Sequence, residues 1–76
     1  MASATKRKII RNIKYYRKLS KLTPKELSIK IGKKENFIEK LEAYYYKVEP
    51  TVDTITKIAK VLGVTTNELI LRKKDE

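Results

Sequence analysis

Nine cations and no anion stand between Met1 and Lys25: Lys6, Arg7, Lys8, Arg11, Lys14, Arg17, Lys18, Lys21 and Lys25. Ten basic and nine acidic residues follow from Glu26 to Glu76, so nearly all of the formal net charge of +10 lies in the first third of the chain. Ammonium and guanidinium groups gathered on one element are the footprint of a polyanion partner. A merely solvated surface normally mixes signs. A basic helix lying on an anionic membrane is a further reading, but its apolar face here is thin and lacks Trp. The commonest general base, nucleophile and metal ligand are missing, since the chain has no His and no Cys, and Ser and Thr have no partner base in a recognisable setting. No Gly-rich loop is present to cradle a phosphate. The expectation is therefore a binding protein, not an enzyme, with no metal and no cofactor. A second concentration of chemistry is Tyr44-Tyr45-Tyr46. Such rings donate to phosphate, form an apolar and hydrogen-bonding patch at a protein interface, or pack in part on a core.

These groups need elements to hold them, and the chain points to short helices. Seventy-six residues make one domain, small enough to be marginally stable, and no disulfide is available to brace it. Two Gly and two Pro are too few for a strand-and-turn architecture. Ile9, Ile10, Ile13, Tyr16, Arg17 and Leu19 mark an inward stripe on a first helix from about Lys6 to Ser20. Thr23-Pro24-Lys25-Glu26 is a helix start, with Thr23 as cap, Pro24 in the first turn and Glu26 closing a capping box. That second helix runs from about Pro24 to Ile31, buries Leu27 and Ile31, and ends at Gly32 in a positive φ angle. A third, from about Lys34 to Tyr44, turns Phe37, Ile38 and Leu41 inward and Glu35, Asn36, Glu39, Lys40 and Ala43 outward. After a loop to Pro50, Thr51 caps a fourth helix, Val52 to Leu62. Its apolar positions are Val52, Ile55, Ile58, Ala59 and Leu62, and Gly63 ends it. A last short helix, Thr66 to Leu71, carries Leu69 and Ile70. The layout is a disordered start over 1–5, a helical domain over 6–71 and a charged tail over 72–76. No run approaches the ~18 apolar residues of a membrane span, and no signal-peptide core follows Met1, so a soluble, cytoplasmic protein is expected.

Five helices of these lengths in this order resemble the Cro/repressor (XRE-type) helix-turn-helix family. The residues that carry the resemblance are Ile13 and Arg17, then Leu22-Thr23-Pro24-Lys25-Glu26-Leu27, then Gly32, Ile38, Leu41 and Glu42. Pro50-Thr51, Ile58-Ala59-Lys60-Val61-Leu62-Gly63-Val64 and Thr65-Thr66-Asn67-Glu68-Leu69 complete the set. The resemblance implies an all-α, lambda-repressor-like domain. It also implies a pair between Arg17 and Glu42 that sets the angle between the first and third helices. In this family the third helix enters the major groove with its N-terminal residues at base edges, while neighbouring groups grip phosphates. Carried onto this chain, Lys33, Lys34, Glu35, Asn36, Glu39 and Lys40 are the base-reading candidates. Asn36 suits adenine, Lys34 suits guanine, and a Glu suits a cytosine amino group. Lys25, Tyr44, Lys47, Arg11 and Lys8 are the surrounding DNA-contact candidates. Leu69, Ile70 and Leu71 are the candidates for a dimer surface.

The chain also departs from the family pattern. Pro24 stands where the family usually has Gln, and Lys33 and Lys34 leave the third helix without a good cap. Glu35 and Glu39 put acids on the reading face, and the loop after the third helix is longer than usual. Two functions follow as expectations. The first is a transcriptional regulator, a repressor, that binds double-stranded DNA as a homodimer. The second is a protein-interaction module on the same fold, such as an antitoxin or anti-repressor partner, which would use the tyrosine loop and those acids. A third reading confines binding to the basic first helix, without sequence preference.

Overall fold

The computed structural model describes residues 2–43 and 50–71, with side chains described over 7–43 and 50–70. The tyrosine loop, with Tyr44 and Lys47, and the charged tail lie outside the described residues, as does the side chain of Leu71. Five helices make up the described chain: α1 (Ala2–Leu19), α2 (Pro24–Lys30), α3 (Phe37–Ala43), α4 (Val52–Leu62) and α5 (Thr66–Leu71). No strand occurs among the described residues. The architecture is the expected all-α arrangement of five short helices.

Local chemistry accounts for most of the ends. At α2 the Glu26 N–H donates to Thr23 Oγ1 (3.0 Å) and the Thr23 N–H donates to Glu26 Oε1 (2.8 Å), which closes the capping box. At α4 the Thr54 N–H donates to Thr51 Oγ1 (3.2 Å). Helices α1, α2 and α4 end alike, with the chain turned by one left-handed residue and its amides folded back onto the last carbonyls. After α2, Gly32 (φ 79°) donates to Ile29 and Lys33 donates to Ser28. After α4, Gly63 (φ 73°) donates to Lys60 and Val64 donates to Ala59. After α1 the same bonds form, from Lys21 to Lys18 and from Leu22 to Arg17, but the left-handed residue is Lys21 (φ 58°).

The core joins Ile10 and Ile13 of α1, Leu27 of α2 and Ile31 just after it, Ile38 and Leu41 of α3, Ile58, Ala59 and Leu62 of α4, and Leu69 of α5. Partly buried Ile9, Tyr16, Leu22, Phe37, Ile55, Val61 and Val64 pack around it. α1 runs past α3, α4 and α5, while α2 lies against α3 and α4.

Four expectations need correction. α1 begins at Ala2, not Lys6. Ala2 and Ala4 are strong helix formers. α3 begins at Phe37, not Lys34, because nothing at Lys33 or Lys34 caps a helix there. Leu19 is 61% exposed. At 3.6 residues per turn it sits roughly 120° around the helix from Ile13, and α1 ends there. Val52, in the first turn of α4, is 81% exposed at the edge of the apolar stripe.

Candidate nucleic-acid interface

α2 and α3 are fastened to each other by one hydroxyl. Ser28 is fully buried on α2. Its Oγ donates to the Pro24 carbonyl (2.8 Å) and accepts the N–H of Ile38 (2.9 Å), an amide of the first turn of α3. The first amides of a helix have no partner within it, so Ser28 caps α3 from the neighbouring helix. The four residues between Gly32 and α3 are thereby released from capping. Lys33, Lys34, Glu35 and Asn36 are all exposed, and the turn is closed by backbone bonds from Lys33 to Ser28 and from Phe37 to Lys34 (both 2.9 Å).

A second anchor fixes α3 against α1. Arg17 Nε and Nη2 donate to the two carboxylate oxygens of Glu42, at 2.7 and 3.0 Å, and Nη1 donates to the Leu22 carbonyl at 2.8 Å. The two side chains are only 8% and 9% exposed. Two parallel bonds between planar groups set the orientation as well as the distance. The expected pair is present. It also withdraws Arg17 from the basic surface of α1.

The structure brings some of the expected site residues together and leaves others apart. Lys25, exposed in the first turn of α2, lies 3.4 Å from Glu35, so a phosphate-contact candidate and a base-reading candidate hold each other. Both are well exposed, and such pairs contribute little. Lys33 Nζ lies over the Phe37 ring at 5.5 Å. Lys34 and Asn36 make no side-chain hydrogen bond or ion pair among the described residues, while Glu39 and Lys40 are exposed on α3. Arg11 is exposed and Lys8 half-buried on α1, and among the described residues no ion pair ties either to the α2–α3 turn. The four base-reading candidates from Lys33 to Asn36 thus stand on the turn before α3, not inside it. Leu69, expected at a dimer surface, is fully buried in the chain's own core, whereas Ile70 is half-buried.

The family whose sequence profile matches is described as helix-turn-helix, over residues 13–69. The chain belongs to this XRE-type helix-turn-helix family. The matched span begins at Ile13 and ends at Leu69, two fully buried residues, and takes in every core residue but Ile10. Among solved structures, the chain is similar to the N-terminal DNA binding domain of SinR from Bacillus subtilis. The two share 28% identity and superpose with a TM-score of 0.74, over 92% of this chain and 99% of that one. No curated protein matches the sequence. In this helix-turn-helix chain the paired helices are α2 and α3, joined by the turn through Gly32.

Two buried polar groups of the helix-turn-helix frame were missed by sequence reasoning. Ser28 is small and polar by type and stands between Leu27 and Ile31 with no local signal of its burial. Asn12 sits beside the apolar stripe of α1 and is buried, with Nδ2 donating to the Leu69 carbonyl on α5 (2.6 Å). A third signal was legible and overlooked: Thr65-x-x-Glu68 is a capping box. The Thr65 N–H donates to Glu68 Oε1 (2.8 Å) and the Glu68 N–H donates to Thr65 Oγ1 (3.0 Å).

The site's one resolved shift in acidity is at Glu26. The Thr23 backbone N–H holds its carboxylate below the usual glutamate range, helped by the Thr23 side chain and more weakly by Lys30, against a small opposing effect of desolvation.

Proposed function

We propose that the chain binds double-stranded DNA and regulates transcription, acting as a repressor and as a homodimer. The observation that carries this reading is the turn from Lys33 to Asn36. Four consecutive polar side chains are exposed on a backbone fixed from beneath by Ser28. Membership of the helix-turn-helix family supports it, as does the likeness to a domain named for DNA binding. In the proposed complex Asn36 makes a bidentate contact with adenine, Lys34 reaches guanine, and Glu35 or Glu39 accepts from a cytosine amino group. Lys25 exchanges Glu35 for a phosphate. Lys8 and Arg11 add phosphate contacts that raise affinity without adding specificity, while Lys33 and Lys40 stand with the base-reading group. Ile70, half-buried on α5, is the residue assigned to the dimer contact. Among the described residues no helix is long and apolar enough to cross a membrane.

The test is fluorescence-anisotropy binding to random-sequence duplex DNA at two salt concentrations, followed by selection of enriched sequences. A steep fall in affinity with salt is expected, together with an enriched inverted repeat whose half-sites lie about one helical turn apart. Asn36→Ala is expected to weaken the best site by about 1–3 kcal/mol and to relax preference at one base pair. Salt-insensitive binding without enrichment would discard the DNA reading in favour of a protein partner at the acids of the reading face. An enriched single half-site would discard the dimer alone.

A further inference from the structure

Two shallow concavities run together between the end of α2 and the outer side of α4, and they share Lys30 and Val61. One, of about 510 Å³, extends to Ser20 and Leu22. The other, of about 410 Å³, is bounded by Ile31, Gly32, Lys57 and Lys60. We propose that this groove receives an acidic amphipathic segment of a protein partner. The proposal does not rest on the DNA reading.

The chemistry of the groove is two-fold. Its floor is apolar. Leu22 and Val61 are partly buried and packed on the core, and Ile31 belongs to the core. Its rim is cationic. Lys30, Lys57 and Lys60 are all exposed, and among the described residues no carboxylate lines the groove. Lys57, Lys60 and Val61 are spaced so as to share one face of α4, beside the stripe that buries Ile58 and Leu62. Lys30 and Lys60 make no ion pair among the described residues. Lys57 has only Asp53, 3.5 Å away one turn earlier, and both are well exposed. Cations in the last turns of α2 and α4 are favoured by the helix dipoles. Lys57 lies outside those turns and completes the rim.

An occupant must therefore satisfy charge and cover apolar surface at once. A DNA backbone supplies phosphates but nothing for Leu22, Ile31 and Val61. A peptide helix with leucines on one face and carboxylates flanking them supplies both, and helix-in-groove recognition is built this way. Opposite charges around the rim would set register and speed encounter.

The experiment titrates the isotope-labelled full chain, followed by NMR, with three probes. They are a short helical peptide of Leu and Glu in that pattern, the same peptide with Lys for Glu, and a random-sequence DNA duplex. The Glu peptide is expected to move the amides of Gly32, Lys57, Lys60 and Val61, and the Lys peptide to move none of them. The double variant Lys57→Glu/Lys60→Glu is expected to weaken the Glu peptide about tenfold or more, through like-charge juxtaposition. Its DNA affinity, compared at high salt where long-range charge is screened, is expected to change far less, since it removes no assigned phosphate contact. Lys57→Gln/Lys60→Gln should fall between the two and guards against a fold defect from a Glu beside Asp53. Absence of binding by the Glu peptide would overturn the proposal, as would equal binding of both peptides or shifts centred elsewhere. Larger shifts of the same amides by DNA would reassign the groove to phosphate. Loss of DNA binding with peptide binding intact would leave the groove standing and remove only the DNA reading.

Discussion

The chain contains two helix pairs built on nearly the same plan, and they differ at one point. α2 and α4 both start on a threonine cap and both end at a glycine with positive φ. Helix α5 then begins three residues after its glycine, with its own capping box from Thr65 and Glu68. Helix α3 begins five residues after its glycine, and an amide of its first turn goes to Ser28 on the preceding helix. A helix that caps itself commits its entry residues to its own backbone. A helix capped by its neighbour leaves those residues open to solvent. The difference leaves four side chains exposed on the α2–α3 turn, the surface proposed for DNA contact, and makes the α4–α5 turn a corner.

That contrast can be attacked from its anchors downward. The largest effect is expected for Arg17→Ala, which strands the nearly buried Glu42 carboxylate and frees α3 from α1. Losing one member of such a pair costs about 3–5 kcal/mol, and a denaturant melt measures it. A loss near that of an ordinary surface pair would show that packing alone holds α3. Ser28→Ala comes next, at about 1–3 kcal/mol, because it leaves the buried Ile38 amide without a partner. Thr65→Ala removes an ordinary cap and should cost about 1 kcal/mol. The two differ in a second reading: only Ser28→Ala should blur base preference in a selection experiment. Equal preference in both variants would dissolve the distinction between the turns.

Smaller effects test the helix ends. Lys21 takes the left-handed conformation that glycine takes after α2 and α4. A side chain there costs roughly 1 kcal/mol, so Lys21→Gly is expected to raise the melting temperature, and a fall would show that the lysine has a contact worth more. Glu26 gives a pH dependence. Its folded-state acidity is held below the ordinary glutamate range by the Thr23 amide. The capping box therefore contributes fully above the unfolded value and is lost as pH falls through the lower folded one. In Glu26→Gln the acid limb of the stability curve should flatten slightly in that window.

The helix ends were legible because their chemistry is local. Thr23-Pro24-x-Glu26, Thr51, Gly32 and Gly63 act on backbone within a few residues, and the structure places each where its type predicts. The Arg17–Glu42 pair was legible through the family resemblance, since nothing in the spacing alone brings residues so far apart together. What stayed hidden depends on angles between helices. Ser28 matters because Ile38, ten positions on, aims an amide at it. Asn12 is buried because a carbonyl of α5 meets it. Leu19 and Val52 are apolar by type, yet they sit at the edges of their stripes and at helix ends. The start of α3 was misplaced for the same reason as Ser28: the missing local cap was noticed, but its replacement lies on another helix.

The bond from Asn12 to the Leu69 carbonyl spans 57 positions of the chain. Closing so long a loop carries an entropic cost that grows with the logarithm of its length, whereas the α2–α3 turn closes over about ten. The two ends of the domain are therefore expected to come together after the central pair, with φ-values near zero at Asn12 and higher at Ser28 as the check. Once closed, they share a fate. A helix of six residues would ordinarily fray alone, but α5 is held by Leu69 in the core and by the Asn12 amide. Its amides should exchange with solvent only when the whole domain opens, which makes the shortest helix a reporter of global stability.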